Sequence, residues 1–167
     1  MSEPITPFDP EFLADLPYDP EVLLFDGLFE VNKEESRVIA RMPTLDSLPL
    51  TRSQRVDPRK HPRHISGGLL VHATGMLGFV HAYYVLGLRH RAGWTGYGTH
   101  IHSATFRKLV EPGAPIQATC KATKVRSGSG RHLARYSFTF LHEGDVCYEG
   151  DQTAMWMDTS KGDAAKA

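Results

Sequence analysis

The sequence predicts an α+β domain in which a bent antiparallel sheet wraps one long buried helix. Three observations lead there. Residues 65–88, ISGGLLVHATGMLGFVHAYYVLGL, contain no Asp, Glu, Lys or Arg, and a helix that is apolar on every side must be enclosed by other structure. Four strand-like stretches follow it, separated by short turns, and one strand-like pair precedes it. A curved sheet built from those strands supplies the enclosure.

The elements follow in order. Residues 1–21 place prolines at positions 4, 7, 10, 17 and 20, which favours an extended arm over a stable helix. Phe8, Phe12, Leu13 and Leu16 are suited to lay that arm on the body. Residues 22–158 then read as a single domain. LLFDGLFEVN, a charged turn at Lys33, Glu34 and Glu35, and SRVIARM form a hairpin. Pro43 to Arg63 is a polar, proline-bearing insertion with Arg52, Arg55, Arg59, Lys60 and Arg63.

The apolar helix comes next, with Gly75 and Gly78 permitting close backbone approach. Its length alone would admit a membrane span. Five glycines, His72 and His81 argue otherwise, as does the lack of a second hydrophobic segment, a signal peptide or a positive-inside asymmetry. Gly87 ends the helix, and Arg89, His90 and Arg91 meet the negative end of its dipole. WTGYGTHIHSATFRK leads to the turn VEPG and then IQATCKATKV, LARYSFTFLH and VCYEGDQTAMWM, the last three joined by SGSG and EGD. Those three make an antiparallel meander. Residues 159–167 are expected to be a disordered tail.

Composition narrows the function. The 167 residues carry 19 Lys+Arg against 19 Asp+Glu, so no global charge draws the chain to nucleic acid or an acidic membrane. Cys120 and Cys147 are the two cysteines and form no CxxC; they suit reduced core thiols of a cytoplasmic protein. No nucleophile elbow, phosphate loop or dinucleotide fingerprint is present. Any chemistry is therefore acid-base.

Histidines carry it. His72 places an imidazole on the apolar helix, where it can act as a neutral base toward water or a carbon beside a carbonyl; the structural alternative is a core histidine bonded to a backbone carbonyl. His81 lies nine residues on, on the opposite helical face, and reads as a satisfied polar contact, at a subunit boundary. Ser66 can cap the helix, and the amides of Gly67 and Gly68 can polarise a carbonyl oxygen, unless the glycines serve only tight packing. His100 and His102 share a strand face. Such a pair can ligate zinc or copper with His61, His64 or His72, but no Asp, Glu or Cys completes a familiar set, and neither metal nor cofactor is expected. The basic insertion suits phosphates or an acidic protein surface, or is a solvated loop.

Several stretches together resemble one superfamily. LFEVNKEESRVIARM resembles the opening hairpin of beta-hydroxyacyl-carrier-protein dehydratases, HPRHISGGLLVHATGML their site loop and central helix, ATFRKLVEPGAPI the strand and turn that follow, and YEGDQTAMW their last strand. The order is that of the hot-dog fold of thioesterases and thiol ester dehydrase-isomerases. The resemblance implies an acyl thioester of coenzyme A or acyl carrier protein as substrate, and a homodimer or dimer of dimers. Two departures matter. The family's helical carboxylate falls at His72, and its loop histidine is represented by His61 or His64. A shorter likeness, Gly98, Thr99 and His100, is to the histidine strand of fluoroacetyl-CoA-type thioesterases.

Hydrolysis is expected ahead of dehydration, because dehydration needs both a base and an acid whereas hydrolysis needs one base, water and an oxyanion hole. His72 would activate water, His64 or His100 would orient it or protonate the thiolate, Gly67 and Gly68 would polarise the carbonyl, and the acyl chain would lie along Met76 and Phe79. A 3-hydroxyacyl dehydratase and a non-catalytic binding or dimerisation module are the alternatives.

Overall fold

The computed structural model describes residues 4–160. Its sheet has six antiparallel strands: β1 (Gly27–Asn32), β2 (Arg37–Met42), β3 (Trp94–Phe106), β4 (Ile116–Gly128), β5 (Arg131–His142) and β6 (Asp145–Asp158). Their order across the sheet is β1-β2-β4-β5-β6-β3. Helix α2 (Gly67–Tyr84) runs between β2 and β3 in sequence and packs on the sheet's inner face. The expected hairpin, buried helix and meander are all present, and β3 returns to the far edge beside β6.

Sequence explains the central helix. Ser66 caps it, its hydroxyl accepting the Gly68 amide at 3.2 Å. Leu69, Leu70, Met76, Leu77 and Val80 are buried on it, and each contributes roughly 1.5–3 kcal/mol relative to exposure. At the other end Gly87 turns the chain with φ +69. Arg89 then folds back, its guanidinium 3.4 Å from the Tyr83 ring centroid and bonded to the Tyr83 carbonyl at 2.7 Å. No helix among the described residues is long and apolar enough to cross a membrane.

His81 ties the helix to the first hairpin. It is 0% exposed, and its Nε2–H is shared between the carbonyl and hydroxyl oxygens of Ser36, 3.0 Å from each. Nδ1 has no partner among the described residues. Burial lowers the imidazole's pKa from 6.5 to about 4, so the ring is neutral. The expected polar contact is there, but the site is core, enclosed by the hairpin and the Tyr136 ring at 5.1 Å, and not a subunit boundary. Cys120 and Cys147 are also buried and unpaired.

Three expectations need correction. The arm is not wholly extended: Asp9 and Pro10 start a six-residue helix, α1 (Pro10–Asp15), because proline at the first helical position already has the required φ. Phe12 of α1 packs edge-on to Tyr83 and tilted to Tyr84 at 5.0 and 5.3 Å, as its apolar residues led one to expect. The first strand begins at Gly27, since the left-handed Leu24 (φ 66) breaks extension before it. The tail's first residues are fixed, Thr159 donating to the Gly93 carbonyl through both its amide and hydroxyl at 2.8 and 2.7 Å. Residues 161–167, the rest of the expected tail, lie outside the described residues, as do residues 1–3 of the arm.

Candidate active site

Between α2 and the β3, β5 and β6 end of the sheet lies a cavity of about 260 Å³. It exists because Gly75 and Gly78 present bare backbone: a Cβ at either would meet nothing within 4 Å. The opposite wall is aromatic, with Phe138 and Trp156 beside Phe79 of the helix. Trp156 lies so close over β3 that a Cβ on Gly96 would stand 2.1 Å from the indole, which makes glycine obligatory there. The indole N–H donates to the Tyr136 hydroxyl at 3.1 Å.

Of the residues expected in a site, His72, Met76 and Phe79 share this cavity. His72 is partly buried, and its Nε2 lies 2.8 Å from the Val22 carbonyl. A carbonyl only accepts, so Nε2 carries the proton and Nδ1 keeps its lone pair. The bond is the one the structural alternative foresaw, yet it leaves the other nitrogen as a base. Among the described residues no Asp or Glu lines the cavity.

The remaining candidates stand elsewhere in the protomer. His64 lies before the helix, its Nδ1–H on the Pro62 carbonyl at 2.8 Å and its backbone clamped by the Gln54 amide at 2.8 and 3.0 Å. His61 meets it edge-on with centroids 5.0 Å apart. His100 is exposed on β3, its ring parallel to that of His102 at 5.8 Å, and His102 bonds Thr153 at 2.6 Å. Gly67 is covered by Phe106, whose ring would lie 2.9 Å from a Cβ there, and the Gly68 amide is taken by Ser66. None of His64, His100, Gly67 and Gly68 lines the cavity: α2 reaches it from Val71 onward, past the helix start, and β3 reaches it through Gly96, Tyr97 and Gly98. Among the described residues no three His, Cys, Asp or Glu side chains are grouped to hold a metal ion.

Sequence reasoning missed a polar pair and a roof. The Thr74 hydroxyl donates to the Val71 carbonyl at 2.6 Å, so it accepts from the Gln152 side-chain amide at 2.7 Å; both residues line the cavity. A signal existed. Gln152 is the one amide in the alternating series Tyr148, Gly150, Gln152, Ala154 and Trp156 of β6. Tyr18 of the arm also lines the cavity, edge-on to Phe79 at 5.7 Å, and no local pattern announced it.

No protein-family model matches the sequence, and no curated protein matches it. Solved structures do. The crystal structure of a thioesterase from Haemophilus influenzae is similar with a TM-score of 0.52 at 17% identity, over 78% of this chain and 77% of that one. A mutant thioesterase from Pseudomonas aeruginosa gives a TM-score of 0.58 at 17% identity, over 91% of this chain and 95% of its own. The likeness is one of fold: this chain has the hot-dog fold.

Proposed function

We propose that this hot-dog domain hydrolyses acyl thioesters, with His72 as general base. The observation that supports it most is the His72 ring at an apolar cavity, its Nε2 proton committed to Val22 and its Nδ1 lone pair left to take a proton from water. Thioester hydrolysis needs one such base; the missing carboxylate weighs against dehydration, which needs an acid as well. The acyl group would lie between Met76, Phe79 and the glycine-lined helix wall. The thioesterase fold of the similar structures points the same way.

The thiol carrier would be coenzyme A or acyl carrier protein. Arg52, Arg55, Arg59 and Lys60 are exposed in the segment before the helix, and among the described residues no carboxylate forms an ion pair with their side chains. They suit the phosphates or acidic surface of such a carrier.

The active form would be a homodimer or a dimer of dimers. β3 is an edge strand of 13 residues, paired on one side to β6. It has no Lys, Arg, Asp or Glu and exposes Tyr97, Ile101 and Phe106 at 48%, 55% and 53%. Edges are normally protected by charge, and a second copy would complete this one. Catalytic roles for His64 and His100 depend on that assembly. Sedimentation is expected to show a dimer or tetramer at micromolar concentration, and a monomer alone would remove both the assembly and any shared site.

The hydrolase itself is tested by product. With a panel of saturated, 3-hydroxyacyl and enoyl thioesters of coenzyme A, the expected result is free thiol from the saturated substrates. Interconversion of 3-hydroxyacyl and enoyl forms without thiol would identify a dehydratase instead. Stabilisation by the thioesters with neither product would identify a binding module.

A further inference from the structure

The roof of the cavity belongs to neither the helix nor the sheet. It comes from the arm, where residues 17–22 bridge two anchors. At one end the Asp15 carboxylate, 7% exposed, accepts the amides of His90 and Arg91 at 2.8 and 2.9 Å. At the other, Leu23, Leu24 and Phe25 are buried. Between them Pro17 to Glu21 are exposed, and the span is tied to the helix through the Val22 carbonyl and His72. Pro17 and Pro20 fix two backbone angles within it, so the strap holds its shape with few contacts.

Tyr18 is the part of that strap which reaches the cavity. Its ring is 46% exposed, sits edge-on to Phe79, and through Phe79 meets Trp156, 5.2 Å further in at 88°. Tyr18 also lines a second, open cleft of about 490 Å³ formed by Leu16, Pro17, Asp19, Glu21 and Val22. It is the residue common to both spaces.

We propose that Tyr18 is the specificity-determining residue of the acyl cavity, a partition that limits the acyl group to what about 260 Å³ will hold. The inference rests on the reading that the cavity takes an acyl group. A cavity of about 150 Å³ accommodates benzene, so this one suits a ring with a short substituent or a chain of about eight carbons. A longer chain must displace the phenol ring. Removing the ring joins the cavity to the strap's cleft and gives such a chain a path.

The test uses non-hydrolysable thioethers, S-hexyl- and S-dodecyl-coenzyme A, titrated calorimetrically into the full chain and its Tyr18→Ala and Tyr18→Phe variants. Wild type is expected to prefer the hexyl ligand. Tyr18→Ala should shift the hexyl-to-dodecyl affinity ratio at least tenfold toward dodecyl, and Tyr18→Phe should keep the wild-type ratio. Thermal midpoints of the three proteins should agree closely, since the side chain is half exposed. An unchanged ratio in Tyr18→Ala, with binding intact, overturns the partition and leaves the hydrolase standing. A shifted ratio in a protein that releases no thiol from thioesters upholds the partition and removes the hydrolase. Binding of neither ligand by wild type overturns the partition.

Discussion

Replacing His72 with glutamine is expected to lower thioester hydrolysis by at least a hundredfold while the fold and the arm stay in place. A positioned general base contributes about 10²–10⁴ in rate. Glutamine can still donate to the Val22 carbonyl, which His72 holds at 2.8 Å, but it offers no basic nitrogen. His72→Ala should lose activity to the same extent and also cost about 1–3 kcal/mol, from the small void and the unpaired carbonyl. The two variants thus separate the base from the tether. Initial rates of thiol release and thermal midpoints on the same preparations would decide it, and wild-type turnover by His72→Gln would leave the histidine a structural residue only.

The second large effect is on stability. The buried His81 has its pKa lowered from 6.5 to about 4, so between those values the unfolded chain binds a proton that the folded chain refuses. Stability from this group is complete above pH 6.5, falls as pH drops, and is exhausted near pH 4. The difference amounts to about 3 kcal/mol. Among the described residues nothing charged faces the ring: it meets Ser36 and the Tyr136 ring, and burial raises the Tyr136 phenol far above this range. Asp57, Asp145 and Asp151 have lowered pKa values, so their losses come at lower pH. Urea titrations from pH 4 to 7 should show the decline in wild type and a much flatter profile in His81→Gln. Parallel profiles would place the acid sensitivity elsewhere.

Most of the fold was legible because its signals are local. A charge-free run from residue 65 to 88 announced a wrapped helix and Ser66 its start, although the helix closes at Tyr84, before the turn at Gly87. The alternation in β4 to β6 announced the meander. Errors arose where a local signal had a local competitor: five prolines argued against helix in the arm, yet Pro10 starts one. The site was only half legible. His72, Met76 and Phe79 follow helical spacing and meet in one cavity. Tyr18 reaches the same cavity across more than fifty residues of sequence, and the separation of His64 and His100 from it is set by which parts of α2 and β3 face each other, which no spacing rule states. The polar pair Thr74 and Gln152 is 78 residues apart.

The two buried cysteines make the native chain its own gauge of opening. Cys120 and Cys147 are both 0% exposed, and burial raises both thiol pKa values, Cys120 most strongly, so neither the accessibility nor the thiolate that alkylation requires is present while the sheet is closed. A maleimide can therefore mark only molecules whose β4 or β6 has come away. Modification of either cysteine becomes a clock for the sheet's excursions, one that runs against a blank background because no other thiol exists in the sequence.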